Sequence, residues 1–378
     1  MVHQNRARAD RIPLAVPDLR GNELVYLKKC IETNWVSSAG PFIGECEEII
    51  KNKLERSNAI ATVNGSAALH LSLLACKTKP GDYVIIPDWT FAATANAVYH
   101  AGCIPIFADI DKQSYSLDPD IVEKIISNYP GRISAMIVVH PLGHPANLDP
   151  LISISKSAKI PLIEDAAGAF GAKYQGRPVG SFGEFSVLSF NGNKTITAGG
   201  GGMILTNSSI DAAYLRKLSG QARVGQDYKY ESIGFNYRMT NINAGLLLAQ
   251  LERMDEMLAA KRKIAEIYDP IVNKHKNLKT LSSMNWGESS NWLYSVVCES
   301  EPASCDLMRY LDAQNIEVRS FWRSLSIQPP YIDAPSFLNG VSEKLTGKVV
   351  SFPCSSSLTD DDQARVISHL SQWNWSSG

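Results

Sequence analysis

The sequence predicts an α/β protein with a mostly parallel sheet and a smaller domain at its C-terminal end. Short apolar runs recur between residues 60 and 207, and helical stretches lie between many of them. Several runs are apolar throughout, which is typical of strands that helices cover on both faces. Strand–helix–strand alternation favours a parallel sheet, and such sheets bind ligands at the carboxyl ends of their strands. The residues that follow each run are therefore the candidates for a functional site.

The apolar runs define the predicted strands in chain order. They are ATV (61–63), YVIIP (83–87), IPIFADI (104–110), ISAMIVVH (133–140), IPLIED (160–165), FSVLSF (185–190) and GMILTN (202–207). The segments SAALHLSLLA, FAATANAVYHA and DPDIVEKIISNY follow the first three runs and have helical patterns. Together these segments supply the strands and covering helices of one sheet.

The rest of the chain is divided by one long predicted helix that starts at residue 240. Beyond it, WLYSVVC (292–298) and VVSFP (349–353) are the clearest strands of a C-terminal domain. Before residue 60, GNELVYLKKCIETN and ECEEIIKNKLE have helical patterns, and we expect them to pack with the smaller domain. We predict an N-terminal arm at 1–20, a large domain at 21–265 and a small domain at 266–378.

Composition excludes several classes of partner. Lys and Arg number 37 against 38 Asp and Glu, so no basic face indicates nucleic acid as a partner. No apolar run has the length of a membrane span, and the N-terminal segment lacks the pattern of a signal peptide. The seven cysteines are scattered without a C-x-x-C pair, which favours free thiols in a reducing cytoplasm.

The stretch SFNGNKTITAGGGGMIL (189–205) places Lys194 at the end of a buried run, among small residues and glycines. One interpretation is an ordinary surface lysine in a loop. The other is a Schiff-base lysine, because a partly desolvated ammonium has a lowered pKa and offers its free amine as a nucleophile. The glycines would then let the backbone pass close to a bound ring.

Two further strand ends carry candidate groups. Asp165 in PLIEDAAGAFG is either the cap of a following turn or a carboxylate that keeps a pyridine nitrogen protonated, as in pyridoxal phosphate enzymes. Gly65, Ser66 and Ala67 form a strand-to-helix turn, which is either a plain cap or an anion site made of free N–H groups. Ser189 could add a hydroxyl to the same phosphate.

Aromatic and polar residues follow other strands. Trp89 and Phe91 come after YVIIP and are either core residues or a face for a flat cofactor ring. The segment GFNYRMTNINAG (234–245) is either a capping loop or a polar arm that reaches an active site, including that of a neighbouring subunit. In VHPLGHP, His140 and His144 have the spacing of a helical metal pair, but the prolines and glycine prevent a helix, so no metal site is predicted.

These motifs form an ordered set. NGSAALHL, IEDAAGAFG, SFNGNKTIT and GFNYRMTNINA resemble the sugar aminotransferases of the DegT/DnrJ/EryC1/StrS family, from IPLAVPDLRGNE to SLTDDDQARVI. The resemblance implies a fold type I pyridoxal phosphate enzyme that is usually a homodimer with active sites at its interface. It extends to enzymes that aminate C4 of nucleotide-linked 4-keto-6-deoxy sugars, as in the perosamine, bacillosamine and legionaminic acid routes.

The resemblance also implies residue roles. Lys194 would form the internal aldimine, Asp165 would pair with the pyridine nitrogen, and Asn236 would reach the phosphate of the partner subunit. Phe91 matches the position of the stacking ring, with Trp89 as the alternative. The implied cofactor-binding set is Gly65, Ser66, Ala67, Trp89, Phe91, Asp165, Ser189, Lys194 and Asn236. The implied substrate-binding set is Arg238, Arg319, Trp322 and His144.

The sequence departs from the family pattern at three places. Gly168 stands where His, Gln or Glu usually lies near the phenolic oxygen of the cofactor. Ser320, Ser324 and Ser326 replace prolines and a histidine in the segment that borders the sugar nucleotide in relatives. Asp88 occupies a position where a small residue is common. These departures leave the identity of the sugar open.

The activity that the resemblance implies is a transamination from L-glutamate to C4 of a keto sugar, for surface glycan synthesis. An aminotransferase acting at C3 and a silent regulatory or binding homologue remain alternatives. An amino-acid aminotransferase would need an arginine for the substrate carboxylate, for which Arg238 or Arg319 could serve. Sugar 3-dehydratases of this fold carry histidine in place of Lys194, so the lysine argues against that activity.

Overall fold

The computed structural model describes residues 10–225, 228–281 and 284–375. Its strands are β1 (Asn58–Thr62), β2 (Tyr83–Pro87), β3 (Ile104–Ala108), β4 (Ile133–Val139), β5 (Leu162–Asp165), β6 (Lys173–Tyr174), β7 (Arg177–Pro178), β8 (Phe185–Ser189), β9 (Gly202–Thr206), β10 (Arg223–Val224), β11 (Lys229–Tyr230), β12 (Leu278–Thr280), β13 (Gly287–Glu288), β14 (Tyr294–Cys298), β15 (Arg319–Ser320), β16 (Ser336–Phe337) and β17 (Val349–Phe352). Its helices are α1 (Glu23–Glu32), α2 (Pro41–Lys53), α3 (Gly65–Ala75), α4 (Ala92–His100), α5 (Pro119–Asn128), α6 (Leu148–Ala158), α7 (Ser209–Ser219), α8 (Asn241–Glu252), α9 (Met254–Lys274), α10 (Glu301–Ala313), α11 (Val341–Leu345) and α12 (Asp360–Gln372).

The larger sheet confirms the predicted mostly parallel α/β architecture. Its eight strands lie in the order β1-β9-β8-β5-β4-β2-β3-β16, and β9 is antiparallel to both of its neighbours. Consecutive residues of β2 alternate between two cores, because Ile85 packs in the cluster on one face while Val84 and Ile86 pack in the cluster on the other. Helices cover both faces, so the predicted strands can be apolar at every position.

The C-terminal part forms a second sheet of its own. Four antiparallel strands lie in the order β12-β14-β17-β15, and α9, α10 and α12 contribute to the core beneath them. β16 leaves this part and pairs in parallel with β3 at the edge of the larger sheet. The predicted domain boundaries at residues 20 and 265 stay predictions, and the predicted ends at 1–9 and 376–378 lie outside the described residues.

The first two helices correct one expectation. We expected the segment before residue 60 to pack with the smaller domain, but α1 and α2 pack on α8 beside the larger sheet. The thiols of Cys30 and Cys46 donate to backbone carbonyls of α8, and the side chain of Asn241 accepts from the Phe42 N–H at 3.0 Å. Gly245 lets the helices approach, since a Cβ there would lie 3.2 Å from the Phe42 ring. The residues that do meet the C-terminal part lie before α1. Arg11 contacts Asp312, and Ile12 forms a bridge with Ile316.

The long predicted helix is present but divided. Thr240 caps α8 by accepting from the N–H of Asn243, so the end of the segment 234–245 acts as a capping loop. Between α8 and α9, Arg253 has a φ of −111°, and its guanidinium contacts Asp18 and Glu256. Within the described residues, no helix combines the length and the apolar character that crossing a membrane requires.

Candidate active site

A cavity of about 530 Å³ lies at the carboxyl ends of the central strands, where a parallel sheet is expected to bind ligands. Residues after β2, β4, β5 and β8 line it, together with the first turn of α3. The C-terminal part closes it through the segment around β15. Of the predicted site residues, the cavity brings together Gly65, Ser66, Phe91, Asp165, Ser189, Lys194, Arg319 and Trp322.

Lys194 follows β8 and lies in the cavity wall, which rules out an ordinary surface lysine. Its N–H closes a turn onto the Asn191 carbonyl at 3.0 Å, and its Nζ faces the ring of Trp292 at 3.4 Å from the centroid. Burial in the cavity lowers the pKa of Lys194 to about 7, and the charge of Asp165 opposes this shift. Near neutral pH the side chain is therefore present both as an ammonium and as a nucleophilic amine.

Asp165 is the last residue of β5 and is buried. Its carboxylate accepts from the Thr94 hydroxyl at 2.9 Å and from the Ala167 N–H at 3.2 Å. Burial raises the pKa of Asp165, while these hydrogen bonds and the charge of Lys194 act in the opposite direction. Within the described ranges the Asp165 carboxylate forms no salt bridge. A cationic ring nitrogen bound in the cavity would supply a positive partner for this buried carboxylate.

The first turn of α3 corrects the prediction for Ala67. Asn64 is the N-cap, and its side-chain oxygen accepts from the Ala67 N–H at 2.7 Å. That N–H is therefore already paired, and the donors that face an incoming anion are those of Gly65 and Ser66. Packing at this turn is close, since a Cβ at Gly65 would lie 3.0 Å from Cβ of Ser189.

The glycine run also shapes this turn. A Cβ at Gly202 would lie 2.6 Å from the carbonyl carbon and oxygen of Asn64. Gly201 has a φ of 155°, which glycine adopts without strain. The predicted close passage of backbone is thus present, but it brings β9 against the cap of α3.

The two aromatic candidates separate clearly. Phe91 stands at the N-cap position of α4 and is 62% exposed at the cavity. Trp89 is fully buried, and its indole N–H donates to the Trp322 carbonyl at 2.9 Å. Trp89 therefore belongs to the core of the C-terminal part, and it is not among the residues that line the cavity. The prediction of Trp89 as an alternative stacking ring is corrected.

Two of the departures from the family pattern belong to one buried network. The Asp88 carboxylate accepts from the Ser326 N–H at 2.7 Å, from the Ser342 hydroxyl at 2.8 Å and from the Ser324 hydroxyl. Its backbone carbonyl accepts from the Leu325 N–H at 2.9 Å. We call Asp88, Ser324, Leu325, Ser326 and Ser342 the Asp88 network. It ties the end of β2 to the segment that carries Arg319 and Trp322 into the cavity.

The remaining serine departure lies elsewhere. Ser320 is an exposed residue of β15 and pairs with Val350 of β17. The cavity-facing side of this segment consists of Arg319, Phe321 and Trp322. Ser320 therefore replaces a residue outside the cavity lining, and the departure has no direct consequence for the described site.

Besides Ala67 and Trp89, three further predicted site residues are absent from the lining of this cavity. His144 lines a separate cavity with Arg262 and Tyr294, where burial lowers its pKa to about 4. His144 follows the short turn Pro141–Gly143, in which Leu142 has a φ of 55°, and its predicted role in substrate binding stays a prediction that this cavity does not support. Asn236 and Arg238 are exposed on a segment that bridges to Gly220 and Thr62, outside the cavity of their own chain.

Sequence reasoning missed several cavity residues. Thr94 holds Asp165, and His140 accepts from the Ala146 N–H at 3.0 Å through Nδ1 while its Nε2 lies 3.3 Å from Glu164. His140 directly follows β4, so its place after a strand was a usable signal. Trp292 and Phe321 are distant in sequence from Lys194, and no local pattern connects them with it.

Comparison with known proteins places this geometry in a family. Residues 17–371 match the DegT/DnrJ/EryC1/StrS aminotransferase family. A GDP-perosamine synthase of Caulobacter vibrioides is 38% identical over 96% of this chain and 98% of its own length. A GDP-perosamine synthase of Vibrio cholerae is 34% identical over 96% of this chain and 99% of its own length.

Solved structures agree with this match. A DegT DnrJ EryC1 StrS aminotransferase from Brucella abortus superimposes with a TM-score of 0.87 at 27% identity, covering 92% of this chain and 94% of the other. DesV of S. venezuelae gives a TM-score of 0.88 at 27% identity, covering 96% and 98%. The predicted resemblance is confirmed: the chain belongs to the DegT/DnrJ/EryC1/StrS aminotransferase family and is a pyridoxal phosphate-dependent aminotransferase.

Proposed function

We propose that this enzyme transfers an amino group from L-glutamate to C4 of a nucleotide-linked 4-keto-6-deoxy sugar, for the synthesis of a surface glycan such as O-antigen. The observation that carries the proposal is the meeting of the Lys194 amine and the buried Asp165 carboxylate in one cavity. The relatives named GDP-perosamine synthase support a nucleotide-linked sugar as the substrate.

The cavity residues fit pyridoxal phosphate at each end. The unpaired N–H groups at the start of α3 and the hydroxyls of Ser66 and Ser189 would hold the phosphate. Asp165 would hold the protonated ring nitrogen, and the exposed ring of Phe91 offers a flat surface for the cofactor. Bound pyridoxal phosphate supplies an aldehyde carbon for amines and a ring that accepts an electron pair.

The chain itself contributes proton transfer and charge. With a pKa of about 7, Lys194 Nζ can accept a proton from the carbon that bears the amino group and can donate it again. The Asp165 carboxylate accepts hydrogen bonds from the Thr94 hydroxyl and the Ala167 N–H, and these two donors orient it at the cavity. Arg319 and Trp322 then remain to bind the nucleotide-linked sugar at the opening.

We also propose that the enzyme works as a homodimer in the cytoplasm. Several large apolar side chains on and after α1 are exposed, namely Leu24, Val25, Ile31, Trp35 and Val36. A second copy covering this surface would remove it from water. The exposed Asn236 would then be free to reach the phosphate in the partner's cavity, as the resemblance implies. The seven cysteines are free thiols, which supports a reducing compartment.

The absorbance spectrum of the purified protein with pyridoxal phosphate tests the first half of this proposal. We expect a band of lysine-bound cofactor that L-glutamate converts to the spectrum of pyridoxamine phosphate. Lys194→Ala should bind cofactor without forming the lysine-bound band. A well-folded wild-type protein that forms no such band would refute the assignment of the lysine.

Product analysis tests the second half. The glutamate-treated protein is offered GDP-linked and UDP-linked 4-keto-6-deoxy hexoses, and the product is examined by NMR. We expect an amino group at C4. An amino group at C3 would identify the alternative regiochemistry while leaving the aminotransferase assignment intact.

A further inference from the structure

Gly168 is required by the space around it. Its φ lies outside the left-handed region, so another residue could adopt the same backbone conformation. A Cβ at this position would, however, lie 2.3 Å from Cε3 and 2.7 Å from Cζ3 of Trp292. Any side chain at residue 168 would therefore have to displace the indole, and the indole occupies the volume that a side chain at 168 would fill.

Contacts of the Trp292 ring and of the Trp292 backbone fix the indole in this position. Its Nε1 donates to the Asn193 carbonyl at 2.8 Å, on the residue directly before Lys194. The backbone carbonyl of Trp292 accepts from the buried Lys261 Nζ at 3.1 Å. The Ser290 hydroxyl donates to the Gly168 carbonyl at 3.3 Å, which ties the two segments together. The ring is 6% exposed, so it has little freedom to rotate away.

The face of this ring meets the amine of Lys194. Nζ lies 3.4 Å from the ring centroid, a distance at which the π electrons attract an ammonium. Among the described residues, the other titratable or charged side chains in the cavity wall are Asp165, His140 and Arg319. Of these, the Asp165 carboxylate also favours the ammonium form, while burial opposes it. The ring therefore both places the amine and influences its protonation.

We propose that Trp292 is a positioning residue of the active site and that it forms one reciprocal unit with Gly168. The indole, contributed from the segment before β14, builds the wall beside Lys194 that a side chain at residue 168 would otherwise build. The departure at Gly168 is then a replacement of one wall by another and leaves no gap. This inference rests on the proposed role of Lys194 as the reactive lysine.

The first test measures the Lys194 amine in the cofactor-free protein. Acetylation of Lys194 by acetic anhydride is followed against pH by peptide mass spectrometry in the wild type, Trp292→Phe and Trp292→Met. Methionine fills irregular apolar space without an aromatic face. We expect Trp292→Met to lower the pH midpoint by about half to one unit, and Trp292→Phe to lower it less.

The matched control is Trp373→Met. Trp373 is an indole of the same apolar cluster, 4% exposed, whose Nε1 donates to Asp306. It should leave the Lys194 midpoint unchanged even if it lowers the melting temperature. An unchanged or raised midpoint in Trp292→Met would overturn the proposed contact.

The second test addresses reciprocity. Gly168→Ala is introduced into the wild type and into Trp292→Met, and the same midpoint is measured. We expect a shift in the wild-type background, where the added Cβ meets the ring, and none in the Trp292→Met background. Equal shifts in both backgrounds would show that the two residues act independently and would refute the unit. The assays contain neither cofactor nor sugar, so their failure is distinguishable from a failure of the proposed transamination.

Discussion

Removal of the Asp88 carboxylate should destabilise the enzyme and loosen the side of its cavity that we propose binds the sugar. Asp88 is fully buried, and its carboxylate accepts from the Ser326 N–H and from the hydroxyls of Ser324 and Ser342. In Asp88→Ala these buried donors lose their acceptor, and each unpaired buried donor costs about 1–3 kcal/mol. Two effects offset part of this sum. Water can enter the vacated space and pair with the donors, and the variant no longer bears the free-energy cost of burying a carboxylate. We therefore expect a loss of about 2–4 kcal/mol in the free energy of unfolding.

Urea unfolding followed by circular dichroism measures this loss. Asp360→Ala is the control, because the Asp360 side chain is 87% exposed and its contact with Lys263 is a surface ion pair. It should change the free energy of unfolding by less than about 0.5 kcal/mol. A loss below about 1 kcal/mol in Asp88→Ala would refute the claim that the Asp88 network holds the segment.

Kinetics provide a second readout that stability alone would not move. The network anchors the segment bearing Arg319 and Trp322, whereas Asp165 ends β5 and Lys194 follows β8. In Asp88→Ala at a temperature where the protein stays folded, KM for the keto sugar should rise while the half-reaction with glutamate keeps its rate. Equal losses in both half-reactions would show that the network does not act specifically on the sugar side.

Three further predictions concern the cofactor end of the cavity. Lys194→Ala should lower turnover by about 10²–10⁴-fold through loss of proton transfer alone, measured as steady-state glutamate consumption. The control is Lys173→Ala, at an exposed lysine, which should leave turnover unchanged. The rate at which pyridoxal phosphate attaches to the cofactor-free protein should rise as pH increases through about 7, because the neutral amine of Lys194 is the nucleophile and its fraction grows above its pKa; a stopped-flow rate that falls over this range would contradict the lowered pKa. Phe91→Ala should weaken pyridoxal phosphate binding in a fluorescence titration, whereas Trp89→Phe should lower the melting temperature and leave cofactor affinity unchanged.

Much of the fold was predictable because its signals are local. Apolar runs of strand length and the helical stretches between them depend on neighbours in sequence, and the structure has strands at each of the predicted runs from β1 to β9. Placement of the first helices failed for the same reason. The patterns of α1 and α2 show an apolar face but do not say that its partner is α8, far along the chain.

The residues of the candidate site also differ in whether a local sequence pattern could predict them. Its strand-end residues were identifiable because parallel strands present their carboxyl ends at one edge, and Lys194, Asp165, Ser66 and Ser189 all line one cavity there. Two residues do not share this cavity as expected: the side chain of Asn64 takes the N–H of Ala67, and His144 lines a separate cavity.

The sequence by itself therefore determined the α/β class, the strand ends and the lysine–aspartate pair, since each depends on a short-range pattern. The tertiary structure alone decided what the departures from the family pattern mean. Asp88 meets Ser324, and Gly168 meets Trp292, across long stretches of chain, through hydrogen bonding in one pair and exclusion of volume in the other. Such contacts arise from packing between distant segments, and no periodicity in the chain encodes them.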